Sequence, residues 1–299
     1  TSATISVKKM GQFDGRVVIV TGSSNGIGRA AAVKFAQKGA MVTICGRDET
    51  ALNETKSMVL AVNGGDEKKV FIVRGDICQE EVKKEIVEGT VNAFGRLDVL
   101  VNNAGGANAV DFEKPEIESD LSNFEDILNL NFKSIFRMCQ LALPHLVESK
   151  GDIVNVGSIV GRPNGASIAS PLYSIAKGAQ DHLTRNLAIY YIQKGVRVNG
   201  VSPGLIATNF FQRHGIPAEV MRKIEEVTAS SPSRIPCGRP GTAEEVAEAI
   251  LFLADRQKSS YIVGHQLVVD GGSSLQMPVV VDGFKIFAEI LGGLAPPKA

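Results

Sequence analysis

Short apolar runs alternate with longer amphipathic stretches along most of the chain. Runs rich in valine and isoleucine predict buried strands, and the stretches between them predict helices. The predicted strands are RVVIV (16–20), MVTIC (41–45), KVFIVRGD (69–76), LDVLVNNAG (97–105), GDIVNVGS (151–158), VRVNGVSPG (196–204) and GHQLVVDGG (264–272). The predicted helices are 28–39, 49–62, 80–94, 123–149, 173–195 and 243–255.

This alternation predicts the fold class. Continuous apolar strands favour a parallel sheet that is buried on both faces, and strands that alternate with helices favour right-handed crossovers. We therefore predict an α/β protein with a Rossmann-type, doubly wound, mainly parallel seven-stranded sheet and helices on both faces. The sequence shows no linker or repeat, so we predict one domain over residues 1–299 with a core at about 13–274.

Two segments lie outside the alternation. Residues 205–240 contain several prolines and predict an irregular lid over a substrate crevice. Their apolar residues suit either a cover for a lipophilic substrate or the core of two short helices: Leu205, Phe210, Phe211, Ile216 and Met221. The tail at 275–299 carries an apolar stripe from Phe284 to Leu294, which predicts packing on the same or a neighbouring subunit; a membrane-surface role would need a basic face.

Composition excludes several classes of function. The chain has 32 acidic and 32 basic residues and a pI of about 6.9, which argues against nucleic acid as a partner. No apolar run reaches the ~18 residues of a transmembrane span, and the N-terminus lacks the apolar core of a secretory signal. Four separated cysteines predict scattered core thiols in a reduced, cytoplasmic compartment. The four histidines show no ligand spacing, so we predict no metal.

A glycine-rich loop follows the first strand. TGSSNGIG (21–28) places Gly22, Gly26 and Gly28 between a buried strand and a helix. Glycines there permit a tight turn and a close approach of the backbone to a pyrophosphate, and the helix N-terminus supplies free N–H groups. The loop predicts dinucleotide binding; the alternative is a loop that only turns the chain.

The end of the second strand discriminates between cofactors. NAD sites usually place a carboxylate there for the ribose hydroxyls, whereas an arginine binds a 2′-phosphate. The chain has Arg47 at this point, followed by Asp48. The position of Arg47 favours NADP(H) over NAD(H), although Arg47 could also be only a surface charge.

Tyr173 and Lys177 supply candidate chemistry for reducing a carbonyl. A free tyrosine has a pKa of about 10, too high for efficient proton exchange near neutral pH. Lys177 lies one helical turn later on the same face, so its ammonium should lower the pKa of Tyr173. Ser158, at a strand end, can donate to the substrate oxygen as it gains negative charge. The alternative for this pair is packing plus a solvated charge.

Taken together, these motifs resemble the short-chain dehydrogenases/reductases in their compact single-domain branch. The resemblance covers roughly residues 13–274 and rests on TGSSNGIG, GDI (75–77), NNAG (102–105), LNLNF (128–132), NVGS (155–158), YSIAK (173–177) and SPGLIAT (202–208). It implies a catalytic tetrad of Asn131, Ser158, Tyr173 and Lys177, in which Asn131 holds a water that relays protons to Lys177 and Lys177 also donates to the nicotinamide ribose.

The resemblance also implies the cofactor contacts. They comprise Gly22, Ser24, Asn25, Gly26, Ile27, Gly28, Arg47, Asp76, Ile77, Asn103, Ala104, Gly105, Tyr173, Lys177, Pro203, Gly204, Ile206 and Thr208. The loop that leads into Tyr173 and the segment between NNAG and Asn131 are both longer than the family pattern. Both would border the substrate pocket, so the sequence leaves the substrate open.

The resemblance implies an NADP(H)-dependent oxidoreductase that interconverts a small or lipophilic ketone and its secondary alcohol, similar to tropinone-reductase-like carbonyl reductases. The alternatives are an NAD(H)-dependent alcohol dehydrogenase and a catalytically silent nucleotide-binding regulator or scaffold. A small-molecule carbonyl or alcohol is thus the expected substrate. Family members assemble through the helices matching 123–149 and 173–194, which predicts a homodimer or homotetramer.

Overall fold

A computed structural model describes residues 11–107, 116–167, 170–210, 218–229, 231–232 and 234–275. The predictions for Phe211, Ile216 and nearly all of the 275–299 tail lie outside these residues, as does the side chain of Met221. In the described part of the chain, no helix combines the length and apolar character that crossing a membrane requires.

The strands form one seven-stranded sheet, and every pairing between neighbours is parallel. The strands are β1 Val17–Val20, β2 Met41–Gly46, β3 Val70–Arg74, β4 Val99–Asn102, β5 Asp152–Val156, β6 Arg197–Pro203 and β7 Gln266–Val269. Their order in the sheet is β3-β2-β1-β4-β5-β6-β7, so β1 lies beside both β2 and β4. The predicted doubly wound sheet is confirmed.

Helices cover both faces of this sheet. They are α1 Gly26–Gln37, α2 Glu49–Asn63, α3 Glu80–Phe94, α4 Leu121–Leu128, α5 Ser134–Ser149, α6 Pro171–Tyr191, α7 Ala218–Ala229, α8 Ala243–Ala254 and α9 Arg256–Ser259. One apolar core joins the sheet to α1 and α8, and a second core on the opposite face joins it to α3 and α5. Strands such as β1 are fully buried because they contact both cores.

The predicted single helix over 123–149 is wrong in one respect. It is two helices, α4 and α5, joined by a π-turn at Asn129–Lys133. The side chain of Asn131 explains the break, because its Nδ2 donates to the Ile127 carbonyl oxygen at 3.0 Å. That oxygen is the acceptor a regular helix would offer to the backbone N–H of Asn131.

The predicted irregular segment at 205–240 also needs correction, because it contains α7. The prolines that suggested irregularity all lie outside residues 218–229. Inside the helix, two ion pairs have the i, i+4 spacing that supports helical structure: Arg222 with Glu226 at 2.7 Å, and Lys223 with Glu219 at 3.4 Å.

Candidate active site

A cleft of about 520 Å³ runs along the carboxyl ends of the strands. It crosses the sheet where β1 lies between β2 and β4, the switch point at which ligands bind in such sheets. Every predicted site residue except Gly28 and Asn131 lines it. We call one part the glycine-loop end: Gly22, Ser24, Asn25, Gly26, Ile27, Arg47, Asp76 and Ile77. We call the other the tyrosine end: Ser158, Ser167, Ser170, Tyr173, Lys177 and Phe210.

The glycine loop is tightly packed at two positions. Gly22 has a φ of 64°, and a Cβ there would lie 2.8 Å from Cα of Ala104. Gly28 does not line the cleft, but a Cβ there would lie 2.4 Å from both the Gly22 carbonyl oxygen and Nδ2 of Asn103. These contacts leave no room for a side chain, so the sequence needs glycine at both positions for steric reasons.

The N-terminus of α1 faces the cleft beyond these glycines. Asn25 precedes the helix and makes no side-chain capping hydrogen bond, and the first turn contains no acidic residue. The first N–H groups of a helix have no partner within it and carry a partial positive charge. A pyrophosphate therefore fits this end of the cleft, both sterically and electrostatically.

Thr21 is a residue that the sequence analysis missed. It is buried, and its Oγ1 accepts hydrogen bonds from the backbone N–H groups of Asn103 at 2.9 Å and Ala104 at 3.0 Å. The side chain of Asn103 returns to the glycine loop through the carbonyl oxygens of Thr21, at 2.9 Å, and Gly22, at 3.1 Å. These bonds hold the ends of β1 and β4 together, and only the order of strands in the sheet reveals them.

Arg47 and Asp48 have different roles in the structure. Arg47 is exposed, lines the cleft and forms no hydrogen bond or ion pair within the described part of the chain. Asp48 instead caps α2, with its carboxylate accepting from the Ala51 N–H at 3.0 Å. Asp48 is the residue that made the choice between NAD(H) and NADP(H) ambiguous in the sequence. Its carboxylate is bonded to the start of α2, whereas Arg47 lines the cleft.

Asp76 and Ile77 form the far wall of the glycine-loop end. The Asp76 carboxylate accepts from the Cys78 N–H at 2.9 Å, and Nζ of Lys83 donates to the carbonyl oxygens of Ile77, at 3.2 Å, and Cys78, at 3.0 Å. Burial raises the pKa of Cys78 to about 11, so this thiol stays protonated at neutral pH.

The segment after β6 closes the cleft from the opposite side. Pro203, Gly204, Ile206 and Thr208 all line it. The methyl group of Thr208 lies 3.4 Å from a Cβ placed on Gly26, so this segment reaches the glycine loop.

At the tyrosine end, the structure brings Ser158, Tyr173 and Lys177 together. Ser158 and Tyr173 both line this end of the cleft. Nζ of Lys177 lies 5.6 Å from the centre of the Tyr173 ring, as expected for two residues on one face of α6. Ser158 follows β5 and is held in place by the Val160 N–H, which donates to its Oγ at 3.4 Å.

The pKa values of Tyr173 and Lys177 differ from those that the sequence analysis predicted. Burial raises the pKa of Tyr173 above that of a free tyrosine, and the nearby Ser158 side chain offsets only part of this rise. Burial also lowers the pKa of Lys177 to about 7. The predicted net lowering of the Tyr173 pKa by Lys177 is therefore wrong for this structure, because the argument counted the charge of the lysine and omitted the desolvation of both groups.

Asn131 lies behind the cleft, fully buried in the π-turn. Its Oδ1 accepts from the Gly106 N–H at 3.0 Å, and its Nδ2 donates to the Gly106 carbonyl oxygen at 2.8 Å. A Cβ on Gly105 would lie 2.9 Å from this Oδ1 and 3.4 Å from Nζ of Lys177, so Gly105 lies beside both side chains. In this structure the amide of Asn131 fixes the loop after β4.

The long loop before Tyr173 contributes Ser167 and Ser170, two residues that the sequence analysis did not assign to the site. Oγ of Ser167 accepts from the Ser170 N–H at 3.0 Å. Leu205 and Phe210, from the predicted lid, also line the cleft, and the Phe210 ring lies 5.9 Å from the Tyr173 ring. The surroundings of the tyrosine therefore mix hydroxyl and apolar groups.

Comparisons with known proteins agree with this geometry. A family model described as enoyl-(acyl carrier protein) reductase matches residues 22–274. A short-chain dehydrogenase/reductase of unknown function from Caenorhabditis elegans, solved with cofactor, superposes with a TM-score of 0.87 at 43% identity, covering 90% of this chain and 98% of that one. The chain belongs to the short-chain dehydrogenase/reductase family of oxidoreductases.

Other relatives within the family act on different substrates. A glucose 1-dehydrogenase of Gluconobacter oxydans is 37% identical over 88% of this chain and 94% of its own. An NADPH-dependent aldehyde reductase 1, chloroplastic, of Arabidopsis thaliana is 37% identical over 87% of this chain and 86% of its own. A shared framework at this level of identity thus accompanies both a sugar and an aldehyde.

The described residues include no group of three or more His, Cys, Asp or Glu side chains that could hold a metal ion. All four cysteines are free thiols, but only Cys45 and Cys139 are core residues as predicted; Cys78 is half-buried and Cys237 is exposed.

Proposed function

We propose that this short-chain dehydrogenase/reductase is an NADP(H)-dependent carbonyl reductase that interconverts a small or lipophilic ketone and its secondary alcohol. The observation that carries the proposal is that Ser158, Tyr173 and Lys177 line the same cleft as the glycine loop, with Nζ of Lys177 5.6 Å from the centre of the tyrosine ring. A proton donor and a dinucleotide site are the two parts that hydride reduction of a carbonyl requires.

In this mechanism, the cofactor supplies a hydride when it is bound. The hydroxyl groups of Ser158 and Tyr173 hydrogen-bond to the carbonyl oxygen and orient it. Tyr173 gives its proton to that oxygen as negative charge develops there, so the carbonyl becomes an alcohol and the tyrosine becomes a phenolate. Protonated Lys177 stabilises the phenolate and lowers the cost of ionising a buried hydroxyl. The reverse sequence oxidises the alcohol.

The glycine-loop end supports the choice of NADP(H). A 2′-phosphate would meet the exposed guanidinium of Arg47, while the only neighbouring carboxylate on that loop, Asp48, is committed to capping α2. An arginine in this position binds phosphate with charge-assisted hydrogen bonds. The relative described as an NADPH-dependent aldehyde reductase is consistent with the same choice.

A substrate panel tests the proposal directly. Full-length protein would be assayed with aldehydes, cyclic ketones, steroid ketones and sugar lactones, with NADPH and NADH in parallel, by following cofactor absorbance. We expect turnover of at least one carbonyl with NADPH, and a loss of roughly 10²- to 10⁴-fold in kcat for Tyr173→Phe. Tyr190→Phe is the matched control, because Tyr190 is on the same helix but 61% exposed.

Two results would contradict the proposal. Tighter binding and faster turnover with NADH would assign the chain to NAD(H)-dependent alcohol oxidation. Cofactor binding with no turnover across the panel, together with an unchanged cellular phenotype in Tyr173→Phe, would favour a nucleotide-binding regulator or scaffold.

We extend the proposal to assembly and organisation. A single sheet joins strands from Val17 to Val269, which supports one domain, and a reduced, cytoplasmic compartment suits four free thiols. Exposed apolar residues on α5 and α6 support a homodimer or homotetramer: Phe136, Ile175, Ile189 and Tyr190. Light scattering on the full chain and on Ile189→Asp would test this, and an unchanged mass for the variant would exclude α6 as the contact.

A further inference from the structure

The ammonium group of Lys177 is anchored by two acceptors from the protein. Nζ donates to the Val156 carbonyl oxygen at 2.8 Å and to Oε1 of Gln180 at 2.9 Å. An ammonium has three N–H donors, so one remains. Lys177 lines the cleft, and Nζ lies 3.4 Å from a Cβ placed on Gly105. The remaining N–H therefore points toward the cleft.

The hydrogen bonds of Gln180 fix the orientation of its amide. Gln180 is fully buried one turn after Lys177, and its Nε2 donates to the same Val156 carbonyl oxygen at 3.1 Å. A reversed amide would place an NH₂ group against the ammonium and an oxygen against the carbonyl, which are both repulsive. Gln180 thus presents an acceptor to Lys177 and a donor to β5 simultaneously.

Few other groups can stabilise a charge at this point. On α6, Tyr173 is neutral when protonated, and the carboxylate of Asp181 is paired with Arg185 at 2.7 Å. The groups contributed by β5 and the π-turn are neutral, namely Val156, Asn155 and Asn131. Burial is the sole cause of the lowered pKa of Lys177. The oxygen of Gln180 is therefore the side-chain acceptor that opposes this desolvation.

We propose that Gln180 is a positioning residue that keeps the buried ammonium of Lys177 protonated and aims its free N–H into the cleft. The link to catalysis rests on the proposed function, since it assumes that Lys177 acts on Tyr173 and on the cofactor ribose. The contact itself does not depend on that function. The chemistry is that of a neutral amide that stabilises a cation without neutralising it.

The protonation of Lys177 can be measured without turnover. In the full-length chain labelled with ¹³C at lysine Cε, the Lys177 signal would be assigned by its loss in Lys177→Arg and followed with pH. We expect a midpoint near 7 in the wild type. Gln180→Met removes the acceptor at similar length and should lower the midpoint by about one pH unit, a tenfold loss of proton affinity. Gln180→Glu adds a negative charge and should raise it.

A lower Lys177 midpoint in Gln180→Met together with a higher one in Gln180→Glu would show that Gln180 acts through its hydrogen bond to Lys177, because a residue that only fills space would not shift the midpoint in opposite directions. Thr184→Val is the matched control: Thr184 is buried one turn after Gln180 on α6, and its hydroxyl accepts from Nδ2 of Asn155 at 2.9 Å and donates to the Gln180 backbone carbonyl oxygen at 3.0 Å. It takes neither of the two hydrogen bonds that Nζ of Lys177 donates. Its midpoint should equal that of the wild type. An unchanged midpoint in Gln180→Met, or a lowered midpoint in Gln180→Glu, overturns the inference. If Gln180→Met does not fold, Gln180→Glu decides alone.

The pH profile of carbonyl reduction connects the contact to the reaction. The rate should fall as Lys177 loses its proton, and this alkaline limb should move to lower pH in Gln180→Met and to higher pH in Gln180→Glu. If the wild type reduces no carbonyl at any pH, the proposed function fails while shifted midpoints uphold the inference. If the wild type is active and neither the midpoint nor the limb moves, the inference alone fails.

Discussion

The two ends of the cleft are built from different parts of the polypeptide. Backbone forms much of the glycine-loop end, where Gly22 leaves no room for a Cβ. Behind this surface, Gly28 packs against Gly22 and Thr21 ties β1 to β4. Side chains from loops surround the tyrosine end, including Ser167 and Phe210. A surface of backbone suits a ligand part that never varies, whereas a surface of side chains can change its ligand by substitution. This difference explains why the sequence indicates the cofactor more sharply than the substrate.

The largest effect is expected when Gly22→Ala adds a methyl group at the glycine-loop end. In Gly22→Ala, the new Cβ would lie 2.8 Å from backbone Cα of Ala104 at a φ of 64°. A strained non-glycine residue alone costs about 1–3 kcal/mol. We expect the Kd for NADPH, measured by cofactor fluorescence, to rise at least about 100-fold.

Gly64→Ala is the control for strain without a clash, because Gly64 has a φ of 81° and nothing within 4 Å of its Cβ position. It should lower stability and leave NADPH affinity unchanged. Equal effects of both changes on affinity would show that the backbone of the loop is not the binding surface.

Burial of the Lys177 ammonium at the tyrosine end should lower the free energy of unfolding at a pH where this group is charged. Its pKa is lowered from 10.5 to about 7 in the folded protein, so between these values the unfolded chain binds a proton that the folded chain does not. The wild type should therefore gain stability relative to Lys177→Met as pH rises through this window, by up to about 1.4 kcal/mol per pH unit. Urea unfolding at a series of pH values measures the difference, and a constant difference would mean that Lys177 is not desolvated.

Arg47 is the side chain to which we assign the choice of cofactor, at the end of the cleft built largely from backbone. Arg47→Gln removes charge-assisted hydrogen bonds worth about 1.5–3 kcal/mol, so NADPH should bind roughly 10- to 100-fold more weakly, while the Kd for NADH stays the same. Arg74→Gln is the control, since Arg74 is also exposed but is paired with Glu49 at 2.7 Å. An equal loss of affinity for NADH would show that Arg47 contacts a part that both cofactors share and not the 2′-phosphate.

Phe210 gives the smallest expected effect, at the end built from side chains. Its ring lies 5.9 Å from that of Tyr173, and such pairs contribute about 0.5–1.5 kcal/mol. Phe210→Ala should change kcat/KM by at most about tenfold, to a different extent for each carbonyl, and leave NADPH affinity unchanged. Tyr261→Ala is the control, because the Tyr261 ring is fully exposed, does not line the cleft and lies outside α5 and α6. A uniform change across the panel would argue against a role in substrate choice.

The sequence predicted the sheet because its strands are short runs rich in valine and isoleucine. Nearly all of the predicted site residues line the cleft, most of them because they lie at or just after the ends of strands. The sequence analysis missed Thr21, whose partners lie about 80 residues away and meet it only once β1 and β4 are assembled. It also missed Gln180, which is one turn from Lys177 but whose shared acceptor, the Val156 carbonyl oxygen, is brought to it only by the packing of α6 on β5. It also assigned the wrong direction to the Tyr173 pKa, since burial cannot be obtained from a spacing of four residues.

The π-turn at Asn129–Lys133 has a consequence for the evolution of chain length. The π-turn contains one residue more than a regular helical turn, so α4 is rotated about its axis relative to the orientation that it would have in one continuous helix with α5. Deleting a residue would rotate α4 by about 100° about its axis. Ile127 would then leave its contact with Leu172 and Ala176 on α6, and Asn131 would no longer reach Gly106. Insertions and deletions near the site should therefore be tolerated in its flanking loops and excluded from this five-residue turn.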